Sequence, residues 1–193
     1  LTTKKALSIF FTAGYPRLND TLPIISALSD SGADLIEIGF PFSDPVSDGP
    51  TIQESSQIAL KNGMSLKVLF KQLSEVRAVT DIPLLLMGYI NPVEQYGFER
   101  FLSDAARCGI DGAIIPDMPF ERYQSEYKPL FKRQGVKPVF LVTTRTTLER
   151  IRAFDQEDPA FLYLLSSDAV TGGAVSVTKD RDDFFHKISQ IGL

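Results

Sequence analysis

Short apolar runs alternate along the chain with longer segments of helical periodicity. "ALSIFF" (6–11), "DLIEIG" (34–39), "IPLLLM" (82–87), "DGAIIP" (111–116), "KPVFLV" (137–142) and "AFLYLL" (160–165) are rich in β-branched or large apolar residues. That is the pattern of strands buried on both faces. Between them, "TLPIISALSDSG" sets Leu22, Ile25 and Leu28 on one stripe, and "LKVLFKQLSEVR" repeats the device with Leu66, Leu69, Leu73 and Val76. Asn19 or Asp20 stands where the first of these helices needs an N-cap. Gly32, Gly109 and Gly135 each fall shortly before a strand, where a helix end calls for a left-handed residue. Alternation of this kind predicts an α/β fold of parallel strands joined by right-handed helical crossovers.

About six strand-helix units fit a doubly wound sheet or part of a (β/α)8 TIM barrel. Two features favour the barrel. No G-x-G-x-x-G opens the first helix, and the polar loops rich in Gly and Pro follow the carboxyl ends of strands, where barrel enzymes carry their chemistry. A closed barrel of eight units usually takes about 250 residues. The expectation for these 193 residues is therefore one barrel domain, 1–193, without its last two units, since "ISQIGL" reads as the end of a sixth helix.

Composition narrows the chemistry. With 44% hydrophobic and 23% charged residues the chain can bury a sizeable core. A net charge of -4 and a pI near 5.1 supply no basic stripe for nucleic acid or an anionic membrane, and no apolar run is long enough to span a bilayer. Small neutral or phosphorylated ligands remain. The single cysteine, Cys108, excludes an internal disulfide framework, and with no visible signal peptide a cytoplasmic location is expected. The one histidine, His186, lies far from Cys108, so no metal centre is expected. No lysine is expected within an apolar strand, where a desolvated amine could form a Schiff base, which disfavours that chemistry. Carboxylate acid-base catalysis is what survives.

Glu37 suits it. Flanked by Leu35, Ile36, Ile38 and Phe40, its carboxyl is favoured in the neutral form, so its pKa rises toward the range where it can both give and take protons. Asp48 follows a loop stiffened by Pro41 and Pro45 and can return over the same strand end, an ionised partner to a raised glutamate. The residues alone leave other roles open. Glu37 could neutralise a buried Arg or Lys or face solvent, and Asp44 and Asp48 could simply shape turns.

"FFTAGYP", "DLIEIGFPFSDPVSDGPTIQ", "LLLMGYINP", "GAIIPDMP" and "YLLSSDAVTGG" occur in the order and near the spacing of the tryptophan synthase alpha chain family, which the chain resembles over nearly its whole length. The resemblance implies a (β/α)8 barrel that splits indole-3-glycerol phosphate into indole and glyceraldehyde 3-phosphate with no cofactor and no metal. It makes Glu37 the proton-shuttling catalyst and Asp48 the residue that holds the indole N–H. Phe10 and Tyr89 would line the indole pocket, Tyr163 would stand near the glutamate, and Thr171 and Gly172 would belong to a mobile loop that closes over substrate. Phe10 and Tyr163 could equally be barrel core. Asp168 and Ala169 depart from the serine and glycine frequent in the family. Most of the family's phosphate-binding backbone comes from its seventh and eighth units, which leaves Thr171 to Gly173 as the phosphate contact expected here.

The implied partner is a beta chain in an alpha-beta-beta-alpha heterotetramer, met by the loop bearing Pro41 and Asp44 and by "YINPVEQYG" (89–97). Two alternatives stand beside the lyase. One is a module acting chiefly by allosteric binding to the beta chain. The other is another phosphate-binding barrel enzyme, which predicts a catalytic lysine or an Asp/Cys pair at strand ends; neither is visible.

Overall fold

The computed structural model describes residues 5–45 and 47–165, with 184, 186 and 188. The described residues form one parallel sheet: β1 (Ser8–Thr12), β2 (Leu35–Gly39), β3 (Leu84–Met87), β4 (Gly112–Ile114), β5 (Lys137–Val142) and β6 (Leu162–Leu164). The strands lie in the order β1-β2-β3-β4-β5-β6. A doubly wound sheet must reverse its order at a switch point, whereas a barrel adds each strand beside the last. Every neighbour here is consecutive, so the barrel reading holds.

The connecting helices are α1 (Thr21–Asp30), α2 (Pro50–Lys61), α3 (Leu66–Leu73), α4 (Ile90–Tyr96), α5 (Phe98–Arg107), α6 (Phe120–Arg122), α7 (Lys128–Gln134) and α8 (Leu148–Asp155). A π turn, Tyr123–Tyr127, joins α6 to α7. Local chemistry explains several boundaries. Pro50 starts α2 with its fixed φ, where a missing N–H costs nothing. Ser65 Oγ accepts from Val68 N at 3.3 Å to cap α3, and Thr147 Oγ1 accepts from Arg150 N at 3.2 Å to cap α8.

At α1 the expected cap works differently. Asp20 occupies the N-cap position, but its carboxylate accepts from Arg17 N and Nε, at 3.2 and 3.0 Å, and so holds the turn before the helix. Gly32, Gly109 and Gly135 do take positive φ, 89°, 75° and 70°, just past α1, α5 and α7.

Alternate residues of each strand face opposite layers. Ile36, Ile38, Leu84, Leu86, Phe140 and Val142 face the helices and join Ile25, Leu69, Leu73, Phe101 and Phe131 in the main core. Burying a side chain such as Leu86 contributes roughly 2 kcal/mol. The inner face carries a separate, smaller core of Leu85, Ile114 and Val139, with Leu35, Met87, Leu141, Phe161 and Tyr163 packed on it.

Two sequence expectations need correction. Most of β1 and all of β6 are at best half-buried, because each has a strand on one side only among the described residues. Lys137 is the first residue of β5, inside an apolar strand after all, but its exposed ammonium pairs with Asp158 and is not the desolvated amine a Schiff base needs. Among the described residues no helix is long and apolar enough to cross a membrane.

Candidate active site

A cavity of about 330 Å³ opens at the carboxyl ends of the strands. Phe10 of β1 and Tyr163 of β6 reach it from the inner face of the sheet, and Leu141 of β5 adds an apolar wall. Asp48 comes from the loop after β2 and Tyr89 from the loop after β3, while Phe42 leans on the Tyr89 ring with centroids 5.4 Å apart. Apolar walls with few polar groups suit a flat aromatic ligand.

Tyr89 ties the two loops together. Its hydroxyl accepts from Ser47 N at 3.1 Å and stands close enough to the Asp48 carboxylate to influence its titration. Gln53, one turn into α2, donates its amide to Asp48 O at 2.9 Å and Pro45 O at 3.4 Å, so the loop is fastened from both sides. Burial pushes the Asp48 carboxyl above its ordinary pKa, and the neighbouring Tyr89 hydroxyl offsets part of that.

Glu37 lies below this cavity. It pairs in register with Phe10 on one side and Leu85 on the other, two residues before Gly39 on the same face. Phe10 and Gly39 are on the cavity wall. The Phe10 ring fills the space that a β-carbon on Gly39 would occupy, since such an atom would sit 2.5 Å from its Cζ, so a glycine is needed there for the close approach.

The Glu37 side chain is only 4% exposed. Oε1 accepts from Ser8 Oγ at 2.6 Å, while Oε2 is buried with no partner. Among the described residues no Arg or Lys pairs with it, and its burial excludes a solvent-facing role. Loss of solvent drives its pKa up, with the Ser8 bond opposing. Tyr163 is close enough that the same loss of solvent, together with the Glu37 charge, raises the pKa of its phenol.

The chain matches the family model for the tryptophan synthase alpha chain over residues 2–192. The tryptophan synthase alpha chain of Flavobacterium psychrophilum is 52% identical over 190 residues, 98% of this chain and 75% of that one. That of Parabacteroides distasonis is 46% identical over 187 residues, 97% and 73%. The chain belongs to the tryptophan synthase alpha chain family. Among solved structures, the tryptophan synthase A-subunit of Pyrococcus furiosus superposes with a TM-score of 0.85 at 36% identity, covering 96% of this chain and 74% of that one. Mycobacterium tuberculosis tryptophan synthase gives 0.85 at 30%, covering 97% and 71%. Family alpha chains are lyases of tryptophan biosynthesis that cleave indole-3-glycerol phosphate, and they pair with a beta chain in a heterotetramer.

Of the site residues expected from the sequence, the structure gathers Phe10, Asp48, Tyr89 and Tyr163 around the cavity and places Glu37 beneath them. Thr171 and Gly172, with Asp168 and Ala169, lie outside the described residues. Pro41 and Asp44 are not at this site but border a separate groove with Asn91, Pro92 and Tyr96. Sequence reasoning missed Ser8, Gln53 and Phe42. Gln53 stood within the quoted signature, and the Ser8 contact appears only once the β1/β2 register is known. Among the described residues no group of three or more His, Cys, Asp or Glu gathers to hold a metal ion.

Proposed function

We propose that Glu37 is the acid-base catalyst of indole-3-glycerol phosphate cleavage and that Asp48 holds the indole ring. Breaking the bond between the ring and the glycerol chain needs somewhere for its electron pair to go. Protonating indole C3 turns the ring into an iminium-like sink, and removing the proton from the glycerol hydroxyl lets that carbon become the aldehyde of glyceraldehyde 3-phosphate. Glu37 gives the first proton and takes the second, so it ends each turnover as it began. A carboxyl raised toward neutrality can do both, and burial gives Glu37 that character.

Asp48, accepting from the ring N–H, stabilises the positive charge that grows there. Phe10, Tyr89, Leu141 and Tyr163 supply the apolar walls for the ring. The observation that carries this reading is the unpartnered Oε2 of a buried acid directly beneath an aromatic cavity.

The 193 residues read as a single barrel domain without its last two strand-helix units, and the domain is proposed to act in the cytoplasm. Thr171 and Gly172, which come after β6 in the sequence, are proposed to contact substrate. The groove bordered by Pro41, Asp44 and Asn91 is the surface proposed for the beta chain, its exposed Asp44 offering a charge to the partner.

The test is Glu37→Gln in the full chain assembled with its beta chain. Indole release should fall at least about 100-fold while assembly persists. Turnover near the parent rate would sink the assignment.

A further inference from the structure

We propose that Ser8 is the positioning residue for the proton transfers. Its hydroxyl fixes one oxygen of Glu37 and leaves Oε2 as the oxygen that exchanges protons with substrate. The inference rests on Glu37 being the acid-base group.

Ser8 opens β1 two residues before Phe10, so the two share the inner face. Phe10 pairs with Glu37, which puts Ser8 diagonally across from the carboxylate, at the end of the strand farther from the cavity. The Oγ to Oε1 distance of 2.6 Å is that of a charge-assisted O–H···O bond. It is the only hydrogen bond to the carboxylate among the described residues, since Oε2 has no partner.

The chemistry of a hydroxyl matters here. A hydroxyl donates to Oε1 both when Glu37 is a carboxylate and when Oε1 is the carbonyl oxygen of an acid protonated on Oε2, so it can hold Glu37 in both states of the cycle. A lysine or arginine would bring a positive charge and trap the anion; an alkyl side chain would leave both oxygens loose. The groups facing Glu37 from other strands do not compete. Leu85 and Met87 of β3 and Phe10 of β1 are apolar, and Tyr163 of β6 is the titratable group that senses its charge. Among the described residues no cation pairs with it.

The experiment follows kcat and KM for indole-3-glycerol phosphate between about pH 5 and 9 in the full chain with its beta chain, for Ser8→Ala, Ser8→Thr, Ser8→Cys and Glu37→Gln. Ser8→Ala should lower kcat about tenfold with KM changed less than about twofold. The limb of the kcat profile belonging to Glu37 should move up by about half a unit or more, because the bond that favoured the carboxylate is gone. Ser8→Thr should restore most of both. Should Ser8→Ala fail to fold, Ser8→Cys, nearly the same size with a far weaker donor, gives the same readout.

An unmoved limb with parent kcat in Ser8→Ala or Ser8→Cys overturns the inference. So does a Ser8→Thr variant as impaired as Ser8→Ala. Glu37→Gln separates the two failures: if it still turns over, the catalytic assignment itself is wrong, whereas an inactive Glu37→Gln beside a normal Ser8→Ala removes only the role of Ser8.

Discussion

The buried acids of this molecule are treated in opposite ways. Glu157, after α8 on the helical side, is 9% exposed, and its carboxylate meets the Lys128 ammonium at 2.7 Å. Asp104 of α5, 6% exposed, takes Tyr96, Arg100 and Arg107 as partners. Glu37 on the inner face is as deeply buried as either and receives one neutral hydroxyl. An acid paired with cations has its charge compensated and serves the fold, whereas one left half-satisfied beside a cavity is pushed by burial toward its neutral form, within reach of a ligand. The helical shell is built to neutralise charge. The inner face withholds that neutralisation at one place.

Several changes would break or sharpen the contrast. The largest effect after Glu37→Gln is expected from Asp48→Asn, which removes the charge proposed to face the indole N–H and should cut kcat about 100-fold with little change in thermal stability; a loss confined to KM would assign Asp48 to binding alone. Next is Lys128→Met, which strands the Glu157 carboxylate. Denaturant unfolding should show a loss of about 1–3 kcal/mol, tempered because Lys128 is partly exposed, with turnover unchanged.

Glu37→Gln should do the reverse to stability. Because the native carboxyl titrates above its ordinary value of 4.5, the folded state holds a proton that the unfolded chain gives up, and folding loses stability as pH rises through the interval between the two values. The amide abolishes that loss, so melting curves should show a gain of a few degrees at pH 8 and none at pH 4. A gain independent of pH would mean the carboxyl is not raised.

Tyr89→Phe is the mildest. Without the hydroxyl that opposes its desolvation, Asp48 titrates higher still, and given the ionised role proposed for it, the fall in activity on acidification should begin at a higher pH, with about a threefold loss near pH 6.

The six strands were legible because runs such as "IPLLLM" are too apolar and too short to be anything else, and their recurrence pointed to parallel pairing. Which face looks inward was not legible for β3 or β5, whose runs are apolar on both sides. β2 was different, since Glu37 between Ile36 and Ile38 broke the pattern and marked the site. Ser8 carried no such mark. Its partner is 29 residues away, and their meeting depends on register, which is set by the pairing of whole strands. The side chain of Asp20 was misjudged for a related reason: Arg17, just upstream, competes for the same carboxylate.

The consecutive strand order also bears on how the site is put together along the chain. Ser8, Glu37, Asp48 and Tyr89 all belong to the first three strands and the loops that leave them. The proposed proton-handling groups are therefore brought together by pairing segments that are consecutive in the chain, while Leu141 and Tyr163, from β5 and β6, complete the apolar wall.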